Sequence, residues 1–171
     1  GATPLGFLQS LALSDAADDI YLEKYAAGLG LDINHFGIPL LGGDTTAGPG
    51  PLTISITALG TAETGRAVSR SGAKAGDALC VTGNIGDGAL GFACLKNSLD
   101  LPVELSAHLA SRYQLPEPRL GVGQNLTGLA SACADVSDGL VADVGHICAA
   151  SNVAAVIERN AIPLSAGVRA A

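Results

Sequence analysis

The sequence contains no methionine, few aromatic side chains, few basic ones and no C-x-x-C pair among its four cysteines. Each shortage excludes something. Aromatics make up only 4% of the residues, too few to stack the bases of a single-stranded nucleic acid. Lys and Arg number 9 against 16 Asp and Glu, a net charge of −7, with a pI near 4.7. A surface of that sign repels DNA and anionic lipid headgroups, so neither nucleic acid nor membrane is an expected partner. No apolar run approaches the ~20 residues that a bilayer-spanning helix needs. Gly1-Ala2-Thr3-Pro4 has neither a basic n-region nor an apolar h-region, so no signal peptide is read there. Without a methionine, and opening straight into a strand-like stretch, the chain reads as a fragment. Cys80, Cys94, Cys133 and Cys148 lie in apolar surroundings. They read as buried reduced thiols of a cytoplasmic protein.

What is present points to a packed protein. Hydrophobic residues reach 48% and charged ones 15%, a balance that excludes disorder. The length of 171 residues suits one domain or parts of two. Glycine occurs 23 times, roughly twice its usual frequency. Many positions therefore demand a tight turn or a close backbone approach, as phosphate sites do.

Leu5, Phe7, Leu11 and Leu13 recur at period two, which predicts a strand over 5–13 interrupted by Gln9. Ser14, Asp15, Asp18 and Asp19 offer an N-cap and first-turn acids for a following helix. Leu22, Ala26, Leu29, Ile33 and Phe36 form its apolar stripe, and Gly37 with Pro39 ends it. A short buried strand over 38–41 and a second strand over 52–59 come next, giving α+β layers. The polar stretch from Glu63 to Asp77 predicts a domain boundary near Ser71, dividing the chain into 1–71 and 72–171. Beyond it, short strands are expected over 78–82 and 153–157. Helices are expected over 89–95, 102–112 (Leu109 inward, with Val103 or Leu105) and, more weakly, 119–129. His108 reads as a solvated residue without a partner, and His146 as a packed helix residue.

Two acidic knots stand out. The first, Gly42-Gly43-Asp44-Thr45-Thr46, lies between two predicted strands. It reads either as a plain turn with local Asx hydrogen bonds or as a cation or phosphate site. The second, Asp135-Val136-Ser137-Asp138-Gly139, closes a predicted small-residue strand. It precedes a helix with Leu140, Val144, Ile147 and Cys148 on its inner face. Asp138 reads as an N-cap there. Asp135 reads as a carboxylate at the end of an apolar strand, where burial without a partner is costly. Two acids and a hydroxyl are suitable oxygen ligands for Mg²⁺. Carboxylates repel phosphate directly but hold it through Mg²⁺, and Arg70 is the cation best placed in sequence to meet the developing charge.

These segments, in this order, closely resemble the thiamine-monophosphate kinase family, a branch of the aminoimidazole ribonucleotide synthetase and selenophosphate synthetase superfamily. The resemblance rests on Gly42-Gly43-Asp44-Thr45-Thr46-x-Gly48, Arg66-Ala67-x-x-Arg70-Ser71-Gly72-Ala73-Lys74-x-Gly76-Asp77 and Asp135-x-Ser137-Asp138-Gly139-Leu140-x-x-Asp143-x-x-His146-Ile147. Ser151-Asn152-Val153-x-Ala155 and Ile162-Pro163-Leu164 also fit. It implies ATP-dependent phosphorylation of thiamine monophosphate to thiamine diphosphate, with several Mg²⁺ ions, ATP as co-substrate and no covalent intermediate. It implies Asp44, Asp135 and Asp138 as metal ligands, and Gly43, Asp44, Arg70 and Ser137 as nucleotide contacts. No general base is assigned. The implied fold is α/β: the later part of an N-terminal sheet domain followed by the first part of a second α/β domain. A homodimer through the N-terminal domain is implied as well. A glycine-aspartate-aspartate metal site before residue 1 and a thiamine-binding part after residue 171 are expected elsewhere, so this chain alone is expected to be inactive. Another enzyme of the superfamily with a different acceptor, or a non-catalytic nucleotide-binding or dimerisation module, are the alternatives.

Overall fold

A computed structural model describes residues 1–171, a mixed α/β chain that divides into two compact units. The first comprises Gly1–Ala67 with Gly123–Thr127, and the second Val68–Val122 with Gly128–Ala171. No helix is long and apolar enough to cross a membrane.

The first unit is a three-stranded sheet with one helix. Strand β1 (Thr3–Leu13) is central. Helix α1 (Asp19–Phe36) crosses over to β2 (Leu40–Ala47), which pairs parallel to β1, and β3 (Thr53–Thr61) pairs antiparallel on the other side. The ends of α1 are where the residues call for them. Asp18 accepts the Tyr21 N–H at 2.7 Å, and Gly37 takes the left-handed conformation (φ 65°) that L side chains resist. The inner stripe of α1 is half-buried at Tyr21, Leu22, Tyr25, Leu29, Ile33 and Phe36, while Ala26 is exposed. Gln9, which breaks the apolar alternation of β1, has a partner: its Oε1 accepts the Tyr25 hydroxyl at 2.9 Å. A polar group on the covered face is tolerated because it is hydrogen-bonded. The same setting raises the Tyr25 pKa, first through burial and second through neighbouring Tyr21.

The first knot is not a turn. Gly42 to Ala47 are the body of β2, in register with Leu8 to Leu13. The expected buried strand over 38–41 is replaced by one that starts at Leu40 and is exposed throughout. One helix about 10 Å wide covers little more than two strands spaced about 4.8 Å apart. Leu40, Leu41, Ile54, Ile56 and Leu59 accordingly remain on the surface. Gly43 lies so close to β1 that an added Cβ would collide with the Gln9 carbonyl oxygen.

The second unit is built from helices. Its elements include α2 (Asp87–Leu95), α3 (Val103–Gln114), α5 (Leu140–Ser151) and the short α6 (Ala166–Ala170), while the short α4 (Leu120–Asn125) has Leu120–Val122 in this unit and Gly123–Asn125 in the first. A single 3₁₀ turn covers Arg159–Ala161. Leu109 is the fully buried centre of the α2–α3–α6 cluster. An extra Cβ at Gly91 of α2 would strike the Leu109 backbone, and one at Gly167 of α6 would meet its side chain at 2.9 Å. Leu105 is half-buried, whereas Val103 is 79% exposed, so Leu105 is the inward partner. The expected strands over 78–82, before Asp135 and over 153–157 do not form. Their residues are suited to extended backbone, but no ladder partner lies beside them, and a strand exists only through its partner. Cys80 is exposed, Cys94 buried, and Cys133 and Cys148 intermediate; all four are free thiols.

Replacing Gly43 by alanine forces β1 and β2 apart. The loss of stability is expected to exceed the roughly 1–3 kcal/mol of ordinary overpacking. Asp44→Asn, on the same strand, is expected to stay within about 0.5 kcal/mol of the parent. Chemical denaturation of the three proteins, followed by circular dichroism, makes the comparison.

Candidate functional site

In the first unit, alternation along the strands decides what Asp44 faces. Gln9, on the α1 side, is in register with Gly43, and Ser10 is in register with Asp44 on one edge and Ser55 on the other. Neighbouring positions in register share a face, so Asp44, Ser10 and Ser55 form one row on the side of the sheet away from α1. Thr46, Ala12 and Thr53 form the next row. This face is thus rich in hydroxyls, with one carboxylate in it. Asp44 is exposed, and its Oδ1 accepts the Thr45 N–H at 2.9 Å. Of the turn expected at the knot only the local Asx bond is present, and the Asp44 carboxylate is open to solvent.

In the second unit, the basic segment and the second knot lie side by side. The Cys133 N–H donates to the Ser69 carbonyl at 2.9 Å, and the Arg70 Nη2 stands 3.8 Å from Asp135 Oδ1. The side chains are 57% and 75% exposed respectively, so Asp135 is not the buried strand-end carboxylate expected. It is a solvated acid beside an arginine. Such an exposed pair contributes about 0–1 kcal/mol, and either partner can change ligand at little cost.

Three further side chains hold these segments. Ser151, at the end of α5, accepts the N–H groups of Gly72 and Ala73, both at 3.1 Å, and lies 3.3 Å from the Arg70 carbonyl as donor. Asp77 Oδ2 accepts the Lys74 N–H at 2.9 Å and the Ser131 hydroxyl at 2.5 Å. Those bonds, the Ser131 hydroxyl foremost and the Lys74 amide second, hold the Asp77 pKa below its usual 3.8. Asp143, buried in the first turn of α5, accepts at a single oxygen the N–H groups of Ser137 (2.9 Å), Asp138 (3.1 Å) and Gly139 (3.1 Å). The N-cap of α5 is Gly139, which supplies no side-chain bond, so Asp138 is not the cap it was expected to be. Asp138 and Ser137 are exposed instead. His146, expected to be packed, is exposed, and one ligand atom each from Asp138, Asp143 and His146 lies within 4.8 Å of the others. Sequence reasoning had Asp143 only as a motif letter. Its role was unreadable because its partners are backbone amides, which carry no residue signature.

Elsewhere, His108 has a neighbour that was not expected. Its Nε2 is 3.8 Å from Oδ2 of Asp87, a buried carboxylate whose other oxygen has no hydrogen-bond partner.

Comparison with known families decides the affiliation. Residues 1–62 match the family model "AIR synthase related protein, N-terminal domain", and residues 74–169, more than half of the chain, match "AIR synthase related protein, C-terminal domain". The chain belongs to the AIR synthase related family. Within that family it is similar to proteins named thiamine-monophosphate kinase. The one from Salmonella typhimurium is 43% identical over 96% of this chain and 50% of its own length. The one from Caulobacter vibrioides is 40% identical over 99% and 47%. The solved structure of "AaThiL complexed with AMPPCP and TMP" superposes with a TM-score of 0.90 at 29% identity, over 99% of this chain and 54% of that one. The chain thus spans about half the length of the relatives it matches. The hydrogenase maturation protein HypE shares the family fold at a TM-score of 0.76 and 20% identity.

Asp77 sets a testable pH dependence. Its pKa is lower folded than unfolded, so its contribution to stability is present above the unfolded value and lost as the pH falls through the folded one. Urea unfolding midpoints measured from about pH 5 to about pH 2 are expected to fall less steeply for Asp77→Asn than for the parent.

Proposed function

We propose that this chain supplies part of the nucleotide and metal site of a thiamine-monophosphate kinase, which transfers a phosphoryl group from ATP to thiamine monophosphate and forms thiamine diphosphate. The observation that carries the reading is the pairing of Arg70 with Asp135 beside the exposed Ser137 and Asp138. It stands in a chain 43% identical to a thiamine-monophosphate kinase. The solved complex with AMPPCP and TMP, an ATP-like and a thiamine-phosphate-like pair of ligands, supports the same substrates.

The donor set fits Mg²⁺. Asp44 in the first unit, in a row with Ser10 and Ser55, and Asp135 and Asp138 in the second, beside Ser137, are solvent-facing carboxylates with hydroxyl neighbours, oxygen donors of the kind that hard cations take. Asp44 in the first unit, and Asp135 and Asp138 in the second, would be metal ligands, and bound Mg²⁺ would supply positive charge against that of phosphate. Arg70 presents a planar, permanently charged fork to phosphate oxygens. It can leave Asp135 for them because an exposed ion pair is weak. Ser137 offers a hydroxyl at the same turn, and the exposed backbone of Gly43 in β2 would be a further nucleotide contact. No general base is needed, because a phosphate monoester with a second pKa of about 6 is already a charged nucleophile at neutral pH. The protein's contribution is positioning and charge. A homodimer through the N-terminal domain and a cytoplasmic location complete the reading.

The test uses the complete gene product that carries this chain. Asp135→Asn and Asp44→Asn are each expected to lower kcat/KM for thiamine monophosphate by at least about a hundredfold, in line with the loss of a charged group from a phosphoryl-transfer site, with melting temperatures unchanged. Full activity in both variants, or phosphorylation of a different acceptor in preference to thiamine monophosphate, would sink the proposal. The 171-residue chain alone is expected to show no turnover in the same assay.

A further inference from the structure

The start of a helix is an anion site by default, since its first amides have no partners within the helix and the helix dipole adds positive potential. A glycine-containing turn such as Ser137-Asp138-Gly139 at the head of α5 is where phosphate would bind directly. Here that position is taken by the chain itself. One oxygen of Asp143 accepts three consecutive amides, at 2.9, 3.1 and 3.1 Å. Asp143 is only 5% exposed, and the Ser137 and Asp138 residues of the same turn are exposed.

We propose that Asp143 is a positioning residue that plugs the anion site at the head of α5, so that the turn presents Asp138 and Ser137 outward to a cation instead of its amides to phosphate. The proposal rests on the metal–nucleotide reading given above. The part of Asp143 is to hold the turn, because the oxygen that meets it is already engaged by three N–H groups. The selectivity it confers is electrostatic. With the amides occupied, phosphate can reach this turn only through a metal held by Asp138. Without Asp143 the same turn would attract phosphate by itself.

The experiment uses the ¹⁵N-labelled complete gene product, Asp143→Asn and Asp143→Ala, with thermal unfolding recorded first. In the unmutated, metal-free protein the amides of Ser137, Asp138 and Gly139 are expected to exchange slowly despite the exposure of their side chains. Exchange as fast as in an open loop overturns the proposal without any variant. In the variants these three resonances are expected to move, and the affinity for Mg²⁺, followed by paramagnetic Mn²⁺ competition, to fall about tenfold to a hundredfold. Inorganic phosphate, silent on these amides in the parent without metal, is expected to shift them in Asp143→Ala. Loss of metal binding with the three amides unmoved would make Asp143 a ligand and overturn the inference. Unchanged metal affinity with displaced amides would also overturn it. A parent that binds no metal or nucleotide refutes the kinase reading and with it the cation half of the inference, whereas the exchange result concerns Asp143 alone.

Discussion

A carboxylate taken out of water needs donors for its lone pairs and compensation for its charge. Asp143 finds both in three backbone amides at the head of α5. Much of the second unit's polar surface follows from that one interaction. Because the helix is capped from within, Gly139 can be its N-cap without a side chain and Asp138 is released from capping. At the other end of the same helix Ser151 binds the backbone of Arg70, Gly72 and Ala73. One rigid helix thus fixes the acidic turn and the arginine segment, which are far apart in the chain, and Arg70 meets Asp135 at 3.8 Å. The charges that face solvent are weakly paired, and those that hold the frame are buried or bound to backbone.

The first unit reaches its chemistry by a different route. A single helix covers one side of the sheet, and strand alternation sends the remaining side chains to the other. The apolar and aromatic residues of α1 take the first side, with Gln9 tolerated through its bond to Tyr25. Ser10, Asp44 and Ser55 are left in one row on the second. The carboxylate is not delivered by a loop. It is held by the β1–β2 ladder of backbone hydrogen bonds, which gives it a defined height and direction.

What could be read from the residues were features whose cause is local. The acids from Asp15 to Asp19, the stripe from Leu22 to Phe36 and Gly37 marked α1, with its end at Gly37 and its N-cap open among several residues, since capping and handedness act within one turn. Leu109 was readable as core from its helical spacing. The acids and Arg70 stood out because solvated charges beside glycine are uncommon in so apolar a chain. Properties that depend on a distant partner were not readable. Gly42 to Thr46 looked like a turn because glycine usually marks one, and only the approach of Gln9 shows that Gly43 serves a strand. The segment over 78–82 had strand composition but no neighbour to pair with. His108 drew no partner from its own helix, and Asp87, which lies near it, belongs to another.

The order of strands in the sheet has a consequence for how the first unit assembles. β1 is the central strand, yet it precedes both of its neighbours in the chain. Neither of its edges can be closed by a hairpin. The parallel edge waits for α1 to form and bring β2 back, and the antiparallel edge waits for Thr53–Thr61. Loop closure must therefore precede most of the stabilising contacts, which places this unit among the slower folders for its size. Until β3 arrives, the backbone of β1 has an open edge to which another chain can add.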